Sequence, residues 1–333
     1  MLTQRILIVM TETDTTWSRQ SERRRPTVLV TGPTSGIGAA AFERLLSHPS
    51  RPELLLLGRH RAALQAAVAR AGTQGLTARA IPVDLADLHS VAGACAEVTM
   101  LAATGRIGRI DVAVLNAGLQ VTDRRHTSVQ GHELTFAVNV LAQHALLRGV
   151  EDALSDNGHV VLMGSSTHRG RRASFGLVPD PQWQQPHILA AAESGAGSPT
   201  KSREPGGIAY ATSKLALVTL SHEWADRLAR TGRRLNVYDP GLVAGTGLGR
   251  DMRPHEYWVW RRIMPAMSVL PGATTPTRTA RHLVALALND RHPRLHDGYV
   301  EMGRVTHAEP ATFDPARRHE LWTWCEQASR QPA

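Results

Sequence analysis

A tyrosine and a lysine four residues apart, Tyr210 and Lys214 in AYATSK, form the pair in this chain best suited to proton chemistry. On a helix, residues at this spacing share one face, so the ammonium lies near the phenol, favours its ionised form and lowers its pKa toward the working range. Such a tyrosine can serve as acid or base. An ordinary surface pair has the same spacing, but this chain uses arginine 36 times and lysine twice. A compact ammonium where guanidinium is otherwise the habit suggests a role that arginine would not fill. A second feature is TVLVTGPTSGIGAAAFERLL, residues 27 to 46, where Gly32, Gly36 and Gly38 separate a β-branched run from an Ala/Leu stretch. A strand, a bare turn and a helix in that order let backbone approach a diphosphate at a helix N-terminus. The spacing is G-x-x-x-G-x-G, not G-x-G-x-x-G, and the turn alone is weak evidence.

Those residues need elements to place them. Apolar runs at Val28 to Thr31, Leu54 to Leu57, Ala80 to Val83, Val112 to Leu115, Val160 to Met163 and Leu235 to Tyr238 read as buried strands. Helical patterns, including Arg61 to Ala71 and Glu133 to Leu154, lie between them. Strand and helix alternating this regularly predict an α/β fold: one doubly wound parallel sheet with helices on both faces. The expected organisation is a flexible N-terminal arm over 1–25 and a single domain over 26–333. Pro-, Gly-, Arg- and Trp-rich stretches at 167–207 and 241–275 interrupt the rhythm.

Composition narrows the function. No apolar run approaches the roughly 18 residues of a membrane span, and the two cysteines, Cys95 and Cys325, lie far apart in sequence, so a cytoplasmic protein in a reducing compartment is expected. The formal charge of +9 is spread along the chain without a basic helix face, which argues against a nucleic-acid partner. Sixteen histidines make no His-Glu-x-x-His and no Cys/His cluster, so no metal is expected.

Taken in order, the motifs resemble those of the short-chain dehydrogenase/reductase superfamily over residues 27 to 329. They are Thr31-Gly-Pro-Thr-Ser-Gly-Ile-Gly38, Asp84-Leu85, Asn116-Ala117-Gly118, Asn139, Ser165-Ser166, Tyr210 with Lys214, and Pro240-Gly241. The long gap before Tyr210, the PGLVAGTGLGR stretch and the ending look most like the retinol-dehydrogenase-like and protochlorophyllide-reductase-like subgroup. The resemblance implies a Rossmann fold. It also implies Tyr210 as general acid/base toward a carbonyl or alcohol, and Ser166, preferred to Ser165 as the start of the loop after the fifth strand, holding the carbonyl oxygen. Lys214 would bind the nicotinamide ribose, and Asn139 would anchor, through Lys214, a water that reprotonates Tyr210. Gly32, Ser35, Gly36, Ile37 and Gly38 would belong to the cofactor turn. Asp84 and Leu85 would flank the adenine, Asn116, Ala117 and Gly118 would pass close to its ribose, and Pro240, Gly241 and Val243 would neighbour the nicotinamide.

The end of the second strand, Leu-Leu-Leu-Leu-Gly58-Arg59, has no carboxylate for free ribose hydroxyls and offers a cation to a 2′-phosphate, so NADP(H) is expected over NAD. Related enzymes often carry a threonine five residues after the proline of Pro-Gly. Here Gly245 stands there with Thr246 next, which leaves the carboxamide contact open. The resulting expectation is an NADPH-linked carbonyl reductase or alcohol dehydrogenase acting on a small apolar molecule. Reduction of a conjugated C=C bond and non-catalytic dinucleotide binding are the alternatives. A monomer is favoured over a homodimer, because the inserted 167–207 stretch would shield the helix expected to begin near Ile208, with 194–207 as a mobile lid.

Overall fold

The computed structural model describes residues 24–174, 176–193, 203–243 and 273–330. In chain order the first strands are β1 (Thr27–Thr31), β2 (Glu53–Gly58), β3 (Ala78–Pro82), β4 (Ile110–Leu115), β5 (Leu154–Met163) and β6 (Arg234–Asp239). The sheet forms around strands with apolar centres, those of β1, β2 and β4 and the second half of β5 being nearly continuous, as strands buried on both faces are. Two short pieces, β7 (Leu242–Val243) and β8 (Ala273–Thr274), pair with each other in parallel, and β9 (Gly298–Glu301) and β10 (Arg304–Thr306) complete the set. The eight-stranded order is β10-β9-β6-β5-β4-β1-β2-β3, parallel throughout except for the β9–β10 hairpin. This is the expected doubly wound Rossmann fold, extended at one edge by two strands absent from the sequence reading.

Alternate residues of each strand feed two cores. Leu29, Leu55, Leu57, Ala113, Leu115, Val160 and Leu162 face one side, and Val28, Val30, Leu54, Leu56, Val112, Val114 and Val161 face the other. The second core is closed by α1 (Gly36–Leu46), α2 (Arg61–Thr73) and, after an interval, Pro276–Ala287. The first is closed by α3 (Leu88–Ala103), α4 (Ala142–Val150) and the long helix α6 (Glu204–Ala229); between these last two lies the short α5 (Pro186–Leu189). Pro276–Ala287 is α7, and α8 (Pro315–Arg330) packs over α6 and α4.

Three expectations change. The helix read over Glu133 to Leu154 is a turn at Leu134–Phe136, a π-helical turn at Ala137–Leu141, α4 and a 3-10 turn at Glu151–Ala153, with Leu154 already opening β5. The helix expected near Ile208 starts at Glu204, with Pro205 in its first turn. The lid expectation over 194–207 therefore does not hold for 204–207, which are helical, while 194–202 lie outside the described residues. Gly206 and Gly207 are pinned: a Cβ on Gly206 would sit 2.2 Å from the Val121 carbonyl oxygen, and one on Gly207 2.6 Å from Pro179. Upstream, the insertion is tied down by Arg124, which donates to the carbonyls of Ile188 (3.1 Å) and Ala191 (2.9 Å). At the end of the expected arm, Arg24 is ion-paired with Asp111 at 2.7 Å. Of the 241–275 stretch only the ends are described, joined by the β7–β8 pairing; Thr246 and the Tyr257 to Trp260 run lie outside the described residues. Among the described residues no helix is long and apolar enough to cross a membrane.

Candidate active site

In this strand order the chain reverses its direction of travel between β1 and β4, and open α/β sheets bind ligands in the crevice at such a point. The turn after β1 is built for close approach. Gly32 and Gly36 have φ of +65° and +55°, and a Cβ on Gly38 would lie 2.0 Å from the Gly32 carbonyl oxygen. Above Gly36 there is open space, and Ser35 at the N-cap makes no side-chain cap bond, so the first N–H groups of α1 face outward uncapped by it. An uncapped helix N-terminus with room above it fits a dinucleotide's diphosphate. Ile37 continues the first turn of α1, half-buried.

Asn116 braces this turn from β4, donating to the carbonyls of Thr31 (3.0 Å) and Gly32 (3.4 Å), while the Thr31 hydroxyl accepts from Ala117 N–H at 2.8 Å. Arg59 is exposed at the end of β2 and forms no ion pair among the described residues. Its neighbour Gly58 lies against Pro33 of the glycine turn. Asp84 follows β3, caps the next turn by accepting from Ala86 N–H at 3.0 Å, and leads to buried Leu85.

Tyr210 and Lys214 lie on the inner face of α6, 9% and 4% exposed. Lys214 Nζ donates to the Met163 carbonyl at the end of β5 (2.8 Å) and stands 5.8 Å from the Tyr210 ring centroid. Burial dominates both. It pushes the phenol up to about 12 and the ammonium down to about 8. The expected lowering of the phenol pKa by its neighbour is therefore reversed: desolvation outweighs any help from the ammonium. The consequence is a phenol that holds its proton at neutral pH.

Of the two adjacent serines, it is Ser165 whose side chain acts on Tyr210. It acts on the phenol in the direction that lowers its pKa, against the larger effect of burial. Ser165 Oγ accepts from the Thr167 hydroxyl at 3.0 Å and from Thr167 N–H at 3.4 Å, so its single proton is left to donate forward. Ser166 is one residue further, inside the 3-10 turn Ser166–Arg169 that Ser165 caps. The turn that Ser166 opens packs against α6 as well.

Asn139 sits in the π-helical turn, where Ala142 N–H reaches back to Ala137. Its amide brackets Leu119, accepting from Leu119 N–H and donating to Leu119 carbonyl at 2.9 Å each, and also donates to Ser213 Oγ at 3.0 Å. Ser213 in turn donates to the Tyr210 carbonyl at 2.8 Å. Both amide hydrogens are thus spent on protein partners, and the side chain clamps the loop after β4 to α6. Gly118 permits the clamp, because a Cβ there would lie 3.0 Å from Asn139 Oδ1. On the far side, Pro240 and Gly241 turn sharply after β6 (Gly241 φ +71°) and lead to buried Val243.

A short-chain dehydrogenase family model matches residues 26–176. A candidate daunorubicin C-13 ketoreductase of Streptomyces sp. (strain C5) is 30% identical over 302 residues, covering 89% of this chain and 90% of that protein. The chain belongs to the short-chain dehydrogenase/reductase family. As an oxidoreductase of this family it is also similar to retinol dehydrogenase 13 of Mus musculus, 29% identical over 299 residues, 89% of this chain and 81% of that one. It spans about half of the WW domain-containing oxidoreductase of Drosophila melanogaster, matching at 26% identity over 239 residues, 71% of this chain and 52% of that protein. Among solved structures, one described as that of a candidate NAD(P)-dependent gluconate 5-dehydrogenase from Beutenbergia cavernae with bound NADP at low occupancy aligns with a TM-score of 0.60. It is 25% identical, over 83% of this chain and 94% of that one.

Sequence reasoning did not single out His168, Asp239 or Tyr299, which line the back of the Ser165 loop. The one signal was Asp239 itself, a carboxylate immediately before Pro-Gly, a position from which it can cap the turn.

Proposed function

We propose that this chain is an NADPH-dependent oxidoreductase interconverting a carbonyl and an alcohol on a small apolar substrate. The observation that carries the reading is the buried pair of Tyr210 and Lys214, with the ammonium anchored on the Met163 carbonyl at the end of β5 and 5.8 Å from the phenol ring, beside the crevice between β1 and β4. Tyr210 donates its phenolic proton to the carbonyl oxygen, or accepts one from the alcohol in reverse. Ser165 holds that oxygen with its hydroxyl proton, which turns from the phenol to the carbonyl oxygen when substrate is in place. Lys214 binds the nicotinamide ribose and, by its charge, steadies Tyr210 when it gives up its proton. Asn139 acts as a clamp that keeps Gly118 and α6 in register. Nicotinamide supplies the hydride when the cofactor is bound. The turn Gly32, Ser35, Gly36, Ile37 and Gly38 receives its diphosphate, Asp84, Leu85 and Asn116 to Gly118 its adenosine end, and Pro240, Gly241 and Val243 its nicotinamide.

NADPH is preferred because no carboxylate stands at Gly58 while the Arg59 guanidinium is exposed beside the glycine turn, ready for a 2′-phosphate. The NADP in the aligned structure supports the same choice. The protein is a monomer in which both the insertion, whose Gln182 N–H donates to the Thr212 hydroxyl at 2.9 Å and whose Pro179 lies against Gly207, and α8 cover α6. Trp322 meets Trp224 and His144 with ring centroids 5.0 Å apart in each pair, and Arg318 bonds Glu223 at 3.1 Å and also Asp226.

NADPH oxidation in the presence of a panel of aldehydes, ketones and enones tests the reading, with Tyr210→Phe in parallel. Turnover with aldehydes or ketones that falls at least a hundredfold in Tyr210→Phe, with NADPH still bound, is the expected result. Turnover confined to enones establishes C=C reduction instead, and near-normal turnover in the variant removes Tyr210 as the acid.

A further inference from the structure

Behind Ser165 runs a line of buried polar groups that the proposed chemistry does not itself use. Tyr299 on β9, 4% exposed, donates its hydroxyl to Asp239 Oδ2 at 2.6 Å. The other carboxylate oxygen accepts from Gly241 N–H at 2.8 Å, folding back across Pro240. On its opposite side the Tyr299 hydroxyl lies 3.3 Å from His168 Nδ1, and that nitrogen lies 2.7 Å from the Ser165 carbonyl oxygen. A carbonyl can only accept, so Nδ1 carries the proton; Nε2 accepts from Glu309 N–H at 3.1 Å. The imidazole is therefore neutral with a fixed tautomer, in keeping with burial that lowers its pKa to about 4.

Packing points the same way. A Cβ on Gly164 would lie 3.3 Å from the Tyr299 hydroxyl and 2.6 Å from Val237, so the bare Gly164 lets the tyrosine ring seat directly beneath the Gly164–Ser165 step. Asp239 and His168 are fully buried. A continuous chain of contacts thus joins Gly241, through Asp239, Tyr299 and His168, to Ser165.

We propose that Tyr299 is a positioning residue: with Asp239 and His168 it sets the separation between the Ser165 loop and the Pro240–Gly241 turn, the two walls between which the substrate carbonyl must meet the hydride donor. The inference rests on the assignment of Ser165, Tyr210 and Lys214 given above. Sub-ångström placement matters in such a site, since a shift of about 1 Å can cost about a hundredfold in rate. Asp239 is faced by Arg169 from the 3-10 turn (3.6 Å), which also binds Glu301 at 2.6 Å, by Tyr299 and Glu301 from β9, and by Tyr238 on its own strand; its charge also reaches Tyr210 and Lys214 on α6. Burial raises its pKa to about 6 and the Tyr299 bond lowers it. Removing that hydroxyl moves protonation of Asp239 to higher pH.

Tyr299→Phe deletes one oxygen and keeps the ring. Thermal melting verifies folding, NADPH fluorescence reads cofactor affinity, and kcat and kcat/KM against pH are measured with the best carbonyl of the panel. The expected result is NADPH affinity within about threefold of the parent, kcat lowered about tenfold or more for the loss of a bond to a charged acceptor, and an acid limb of kcat/KM displaced to higher pH. A folded variant with kcat unchanged, or with kcat lowered but the acid limb in place, overturns the proposal. Should Tyr299→Phe fail to fold, Asp239→Asn decides: it keeps the shape and an acceptor oxygen, and the acid limb should vanish with a lowered kcat, whereas an unaltered profile overturns the bridge. Tyr210→Phe separates the two levels. If it abolishes turnover while Tyr299→Phe retains it in full, the bridge alone fails; if Tyr210→Phe retains turnover, the site assignment beneath it fails.

Discussion

Ser165 and Ser166 differ by one peptide unit, and replacing each by alanine is the sharpest test of the geometry. Ser165 Oγ accepts from Thr167 N–H and from the Thr167 hydroxyl, and its effect on Tyr210 is to lower the phenol's pKa. Ser165→Ala removes the donor aimed at the carbonyl oxygen. Loss of one such preorganised donor typically costs about 2.7–4 kcal/mol, or about 10²–10³ in kcat. Two further effects follow from the same contacts. The influence that lowers the Tyr210 pKa is gone, so the phenol becomes a still weaker acid, and the Thr167 hydroxyl, buried, is left without its acceptor at a stability cost of about 1–3 kcal/mol. Ser166→Ala touches none of these groups and should lower kcat less than about threefold, about 0.65 kcal/mol. Steady-state kinetics with a carbonyl substrate and NADPH titration by fluorescence read both variants. A hundredfold loss in Ser166→Ala with near-normal turnover in Ser165→Ala would refute the reasoning.

Arg59→Asp should remove or reverse a preference for NADPH over NADH that the parent shows by about tenfold or more, the worth of charge-assisted bonds to a phosphate; fluorescence titration of both cofactors measures it, and equal affinities in the parent dispose of the idea. With the Lys214 ammonium held down to about 8, carbonyl reduction should fall as pH rises through that value, far below the phenol at about 12, and Lys214→Arg should not restore turnover because a guanidinium has the wrong shape and hydration. Stability should drop on acidification. His144, His159 and His168 each have folded pKa values near 4 against an ordinary 6.5, so the unfolded chain binds more protons and stability is lost as pH falls from about 6.5 to 4. Asp239, raised to about 6, and Glu133, also raised by burial, work in the opposite direction, so urea titrations at pH 7 and 4.5 read the net of the buried histidines against these carboxyls. Light scattering at micromolar concentration should give the mass of one chain, 36.2 kDa, and a dimer would contradict the covering role of α8.

Much of the fold was legible because parallel strands buried on both faces advertise themselves as mostly apolar runs: five of the six runs fall within strands, and the sixth, Ala80 to Val83, overruns the end of β3 by one residue. β9 and β10 escaped notice for the converse reason: they are four and three residues long, and at the sheet edge Glu301, Arg304 and Thr306 dilute their pattern. The π-helical turn around Asn139 kept the three- and four-residue spacing of an α-helix, so periodicity could not reveal it. Spacing placed Tyr210 beside Lys214 but could not tell how dry their surroundings are, and dryness decided the direction of the phenol's pKa. Nor could it choose between adjacent serines, since the choice depends on the extended backbone of Ser165 (φ −163°, ψ 142°) at the head of a 3-10 turn. His168, Asp239 and Tyr299 meet only through tertiary structure, 60 or more residues apart from one another in the chain.

The seating of α8 on α6 has a consequence for dilution. A surface that a second chain would cover only at sufficient concentration is here covered by a segment tethered to the same molecule, for which the local concentration is about millimolar or higher whatever the concentration of the protein. The helix that carries Tyr210 and Lys214 is then buttressed equally in a dilute assay and in a crowded cell, and a fusion or truncation at the C-terminal end reaches that helix directly even though it lies far from Tyr210 in sequence.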